Sequence, residues 1–160
     1  MTSTSLVLAR QENTGAGAQY VTVRIGPQLF GLPIEMVHEV FVPDHITRVP
    51  LSNHEIEGVL NLRGRIVTMI NMRSMLGLPA LEDTRRMAVG IEHHGESFGL
   101  MIDEVGEVLV LDPARKETNP TNLDPHWADI VTGVYRLKGQ LMLVLDVDLA
   151  LGRLNTARAA

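Results

Sequence analysis

The sequence repeats itself. Displaced by 75 residues, Gly58, Val59, Leu62 and Gly64 fall on Gly133, Val134, Leu137 and Gly139, while Ile66, Ile70, Leu76 and Gly77 fall on Leu141, Leu145, Leu151 and Gly152. Displaced by 68, Phe30-Gly31-Leu32 falls on Phe98-Gly99-Leu100, and Ile34, Val37, Glu39 and Val40 fall on Ile102, Val105, Glu107 and Val108. The displacements differ because the loop in the second half is seven residues longer (75 against 68). Each half reads as hairpin, third strand, loop, hairpin and short helical end. Two copies of one short all-β unit, each near the lower size limit for standing alone, must bury an apolar seam between them.

Within the units the apolar period is two. Val21, Val23 and Ile25 share one strand face, with Thr22 and Arg24 on the other. Gly26-Pro27-Gln28 is a turn, and "GVLNLRGRIVTMINM" reads as strand, Arg-Gly turn, strand, followed by a helical turn that Gly77 and Pro79 stop. Gly58, Gly64, Gly133 and Gly139 are taken as structural turn positions. The pattern predicts a first small barrel over roughly 20–80 and a second over roughly 86–153. Closed or nearly closed barrels leave no exposed edge on short strands. Residues 1–19 read as a flexible tail in which "SLVLA" alone could add a strand, and 154–160 read as a C-terminal tail.

Composition narrows the function. A formal charge of −5 and an aromatic share of 4% argue against a barrel that grips single-stranded nucleic acid, which needs a positive groove and stacking rings. The absence of cysteine removes disulfides, thiol nucleophiles and thiolate metal sites. The apolar runs are too short to span a bilayer, and the N-terminal stretch does not read as a signal peptide, so the expected location is cytoplasmic.

Enzymatic motifs are missing: no Walker-type loop, no Gly-x-Gly-x-x-Gly, no His-Glu-x-x-His and no Gly-x-Ser-x-Gly. His93-His94 is the most metal-like pair, but strand neighbours point to opposite faces and Gly95 marks a hairpin tip, so a solvated turn is expected. Asp103, Glu104 and Glu107 lack a nucleophile nearby, and Asp146 and Asp148 suit the start of a final helical turn. No catalytic residue, metal or cofactor is expected. Trp127 suits an interface anchor or a barrel plug equally. Arg63 can be a phosphate grip, a hairpin turn residue or part of a surface that another protein reads.

"IEGVLNLRGRIVTMINMRSMLGL" resembles the signature of the CheW family, the adaptors of bacterial chemosensory arrays, with Asn61-Leu62-Arg63-Gly64 as its most specific part. "YVTVRIGPQLFGLPIEMVHEVFVP" resembles the family's opening segment, and "SFGLMIDEVGEVLVL" and "VTGVYRLKGQLMLVLDVDLAL" resemble its second half. The likeness spans residues 20 to about 153. Thr68 and Asn71 depart from it, since the family usually carries Pro and Asp there.

The resemblance implies two five-stranded SH3-like barrels about a shared apolar core and no catalytic activity. It implies a scaffold that couples the cytoplasmic tips of methyl-accepting chemotaxis receptors to the regulatory domain of a CheA-type histidine kinase, reaching the membrane only through the receptor array. It also implies a receptor-binding region in which Glu39 pairs with Arg63 beside a groove carried by Val37, Val105 and Val108. An adaptor of a related pathway, serving surface motility or a second messenger, is the alternative.

Overall fold

The computed structural model describes residues 17–50, 53–80 and 86–159, with side chains to Leu154. The "SLVLA" segment lies outside them. Ten strands form: β1 (Ala18–Ile25), β2 (Gln28–Pro33), β3 (Val37–Phe41), β4 (Ile56–Leu62), β5 (Arg65–Asn71), β6 (Met87–His93), β7 (Glu96–Ile102), β8 (Glu104–Leu111), β9 (Val131–Leu137) and β10 (Gln140–Leu145). Among the described residues three α-helices accompany them: α1 (Met72–Met75), α2 (Pro125–Ala128) and α3 (Val147–Ala159). The strands make two five-stranded sheets, ordered β3-β6-β7-β5-β4 in the first barrel and β8-β1-β2-β10-β9 in the second. Both are SH3-like barrels, as the repeat and the resemblance led us to expect.

The halves of the sequence are not the barrels. Hairpin β1–β2 joins β8, β9 and β10, and hairpin β6–β7 joins β3, β4 and β5. Contiguous barrels over 20–80 and 86–153 therefore do not form. The chain crosses the seam through a 3-10 turn at Ile34–Met36 and again at Asp103. These connections are too short to fold β3 back onto the hairpin that precedes it. Each exchanged hairpin docks in parallel on the partner half's last strand, Phe30 opposite Leu143 and Gly99 opposite Met69.

Alternation then sorts side chains into three cores. Val21, Val23, Ile25, Phe30, Leu32, Val89, Ile91, Leu100, Leu143 and Leu145 face the seam. Leu60, Val67, Met69, Ala88 and Met101 fill the first barrel, and Tyr20, Tyr135, Met142 and Val144 fill the second. Both faces of most strands are thus apolar, as expected of sheets covered on both sides.

Two of the four glycines taken as turn residues sit inside strands. Gly64 and Gly139 do turn hairpins, at φ 85° and 83°. Gly58 lies in β4 and Gly133 in β9, each where the chain leaving an edge strand returns to close its barrel. Thr47 exchanges backbone hydrogen bonds of 2.7 and 2.8 Å with Val59, and Glu117 exchanges bonds of 2.8 and 2.9 Å with Val134. A Cβ at Gly58 would meet the Thr47 carbonyl oxygen at 2.3 Å, and one at Gly133 would meet that of Glu117 at 2.9 Å. These glycines make room for closure.

Helix starts follow the repeat too. The Asn71 side chain accepts from the Ser74 N–H at 3.0 Å, and the repeat-related Asp146 accepts from Leu149 at 3.0 Å. Asn71 therefore supplies the cap that an aspartate would, and its amide also donates 3.1 Å to Glu57. Instead of a tail after residue 153, α3 continues through Ala159, in keeping with a run poor in helix breakers. Gln19 belongs to β1, so the tail expected over 1–19 ends earlier.

The helix ends meet beside Trp127. Its indole N–H donates 2.8 Å to the Leu76 carbonyl, its ring lies 5.7 Å from that of Phe30, and Arg153 donates to the carbonyls of Met75 and His126. Trp127 plugs the seam.

Candidate functional site

The hairpin joining β4 and β5 explains how Arg63 is presented. Arg63 and Gly64 both have positive φ, 52° and 85°, the pattern of a tight type I′ turn whose twist matches the strands it joins. The Asn61 side chain accepts the Gly64 N–H at 2.8 Å and holds the turn. Arg63 thus projects from a hairpin tip, and its guanidinium reaches the Glu39 carboxylate on β3. A second pair, Arg65 with Glu92 at 3.1 Å, stands beside it.

Between these pairs a cleft of about 260 Å³ opens at the end of the first barrel. Phe41, Leu62, Val67, Ile91 and Phe98 give it apolar walls, and Gly90 and Ser97 leave it room. Charged and apolar groups share the lining. Nearby, Ile66 on this hairpin and Val42 just after β3 are well exposed.

The structure brings Glu39 and Arg63 together, but it separates them from the valines expected beside them. Val37 and Val108 retain 6% and 7% of their exposure and belong to the seam core. Val105 is half-buried on the edge strand β8. A β-bulge between Val37 and Glu39 turns the two side chains to different surroundings. The apolar residues around Arg63 are instead Phe41, Leu62, Ile91 and Phe98, which a period-two reading assigns only to unspecified core.

Other candidates resolve into structural contacts. Asp103 accepts two bonds from Arg73, at 2.9 and 2.7 Å, and one from the Gly26 N–H at 2.8 Å, joining the β1–β2 turn of one barrel to α1 of the other. The Arg73 guanidinium holds the Asp103 carboxyl below the usual aspartate range, against the opposing effect of partial burial. Glu57 is also lowered: burial opposes the shift, but bonds from Asn71 and Arg86 outweigh it. His93 is not the solvated turn residue expected: its side chain is largely covered and lies 2.9 Å from Asp148 on α3. His94, with φ 52°, occupies the hairpin tip. Among the described residues no three His, Asp or Glu side chains converge as a metal site would require. No described helix is long and apolar enough to cross a membrane.

A family model for the CheW-like domain matches residues 19–154. The chain is 27% identical to the chemotaxis protein CheW of Thermotoga maritima over 130 residues, which cover 81% of this chain and 85% of that one. It is 34% identical to Protein PilI of Pseudomonas aeruginosa over 84 residues, covering 51% of this chain and 47% of PilI. Among solved structures, the scaffolding protein TtCheW from Thermoanaerobacter tengcongensis superposes with a TM-score of 0.74 at 26% identity, covering 82% of this chain and 90% of that one.

Proposed function

The chain belongs to the family of CheW-like domain proteins, and from that premise we propose that it is a non-enzymatic chemosensory scaffold coupling receptor cytoplasmic tips to the regulatory domain of a CheA-type histidine kinase. The observation that carries this reading is the Glu39–Arg63 pair at the lip of a cleft of mixed polar and apolar lining. An exposed ion pair contributes little stability, about 0–1 kcal/mol. Its value lies in fixing the rim against which a partner seats.

The deciding experiment is calorimetric titration of the full chain with a CheA-type regulatory domain and, separately, with a receptor tip fragment. Saturable binding with a negative heat-capacity change is expected, the sign of an apolar interface. Arg63→Glu is expected to weaken binding of the tip, and undiminished affinity in that variant removes Arg63 from the receptor site. The half-length match to PilI supports a second reading, in which the same scaffold serves a related pathway for surface motility or a second messenger. Binding to one kinase and not another distinguishes the two.

A further inference from the structure

Each exchanged hairpin meets the other half of the chain at a β-bulge, where one residue faces two. In the second barrel Thr22 of β1 faces Gly106 and Glu107 of β8, between the pairs Val21–Val108 and Val23–Val105. In the first barrel Gly90 of β6 faces His38 and Glu39 of β3. The repeat relates Thr22 to Gly90 and His38 to Gly106, each 68 residues apart. Each bulge therefore has a glycine, but on opposite strands: on β8 in the second barrel and on β6 in the first.

The glycine is needed where it stands. Thr22 is buried, and its hydroxyl donates 2.6 Å to the Glu107 carbonyl. A Cβ at Gly106 would lie 2.5 Å from that hydroxyl oxygen. Turning χ1 of Thr22 gives up the bond, and one of its two other rotamers puts the methyl where the oxygen was. In the first barrel the bulge residue, His38, has a Cβ and the facing residue has none. A Cβ at Gly90 would lie 3.2 Å from Cγ of Glu39 and 3.5 Å from Cε1 of Phe41.

The short links at Ile34–Met36 and Asp103 send each hairpin out of its own half. A like half from a second copy would satisfy them equally well. Core bulk does not sort the two cases, since Met142 exceeds its counterpart Val67 while Phe41 exceeds Leu109. The bulges do sort them: β1 laid beside β3 of a second copy would bring Thr22 against His38. We infer that Thr22 with Gly106, and Gly90 with His38, form a reciprocal size key. Through it each half accepts the hairpin of the unlike half and refuses that of a like half from another copy.

The test compares three full-length variants of identical composition. One exchanges the hairpin residues (Thr22→Gly with Gly90→Thr), one exchanges the bulge residues (His38→Gly with Gly106→His), and one carries all four changes. Each mismatched pair is expected to lower Tm by about 5 °C or more. The fourfold variant, matched again at both bulges, is expected to recover at least half of the larger loss. Either mismatched pair is matched in a dimer that joins like halves, so after concentrated refolding both should show a larger dimer fraction than wild type by light scattering, and the fourfold variant should not. If the losses add in the fourfold variant, or neither mismatched pair gains dimer, the key is overturned. Should a mismatched pair not fold, Gly106→Ala is compared with Gly106→Ala carrying Thr22→Gly. A rise in Tm on adding Thr22→Gly supports the key, and a further fall overturns it.

Discussion

The two barrels share a topology but are filled differently. Where the second holds Tyr20 and Tyr135, with ring centroids 5.5 Å apart and hydroxyls in contact, the first has Ala88 and Leu60 at the repeat-related positions. Where the second has Met142, the first has Val67. The first barrel opens into a cleft beside the β4–β5 hairpin, although it carries the larger side chains at Phe41 and Met69, where the second has Leu109 and Val144. Duplication supplied two equal frames, and substitution filled them differently.

Truncating a fully buried side chain inside the second barrel should cost most. Met142→Ala removes a fully buried side chain and is expected to lose about 2–5 kcal/mol in denaturant unfolding, whereas Val67→Ala, beside the cleft, should lose clearly less because part of its surroundings is already open.

The closing glycines sharpen the comparison. Gly58→Ala is expected to cost about 2–3 kcal/mol, since its Cβ would strike a backbone oxygen and its φ is 151°. Gly133→Ala should cost about half as much, because its nearest obstacle is the flexible end of Lys116. A difference of less than a few tenths of a kcal/mol between them in thermal unfolding would show that closure is equally tight in both barrels.

The joint between barrels has its own pH signature. Asp103 titrates lower in the folded protein than its usual 3.8, so its contribution is complete above that value and fades as the pH falls through the lowered one. Asp103→Asn should flatten the acid limb of a Tm-against-pH curve and cost about 1–2 kcal/mol at neutral pH.

The smallest effect is expected inside the second barrel. Burial and the Tyr135 hydroxyl push the Tyr20 phenol well above its usual 10, so its contribution is complete below that pH and is lost as pH climbs towards the raised value. Tyr20→Phe should weaken the alkaline loss of stability, with a change under about 1 kcal/mol at pH 7. The first barrel has no tyrosine to show such a limb.

Much of this was legible in the residues. The repeat gave the duplicated all-β plan, and alternation in β1 placed Val21, Val23 and Ile25 on one strand face, which the structure turns to the seam. What alternation could not do was distinguish the seam from a barrel interior, because both faces of the strands are apolar. The groove role of Val37 and Val108 came from the family resemblance, and both side chains lie in the core. Nor could periodicity assign β1–β2 to one barrel or the other, since that hairpin and β6–β7 carry the same pattern. The short link at Ile34–Met36 decides it. The Glu39–Arg63 contact came from family resemblance, because nothing in residue type alone joins a strand glutamate to a hairpin arginine 24 positions away. The cleft was not legible, because its lining comes from β3, β4, β5, β6 and β7, and period-two patterning does not show which of their residues meet.

The exchange of hairpins governs how the molecule can be made. A nascent chain that has released β1 and β2 holds a hairpin whose neighbours, β8 and β10, have yet to be synthesised. The first barrel becomes complete only with β7, and the second only with β10. Such distant pairings slow folding, since loop closure must precede any reward from contact. The early hairpin waits with its apolar faces uncovered, a period of vulnerability to aggregation. A chain divided between β5 and β6 would leave neither fragment with a whole sheet, yet each would hold the strands the other lacks. Such fragments should stay unfolded apart and regain β-sheet circular dichroism when mixed, making this small protein a natural split pair.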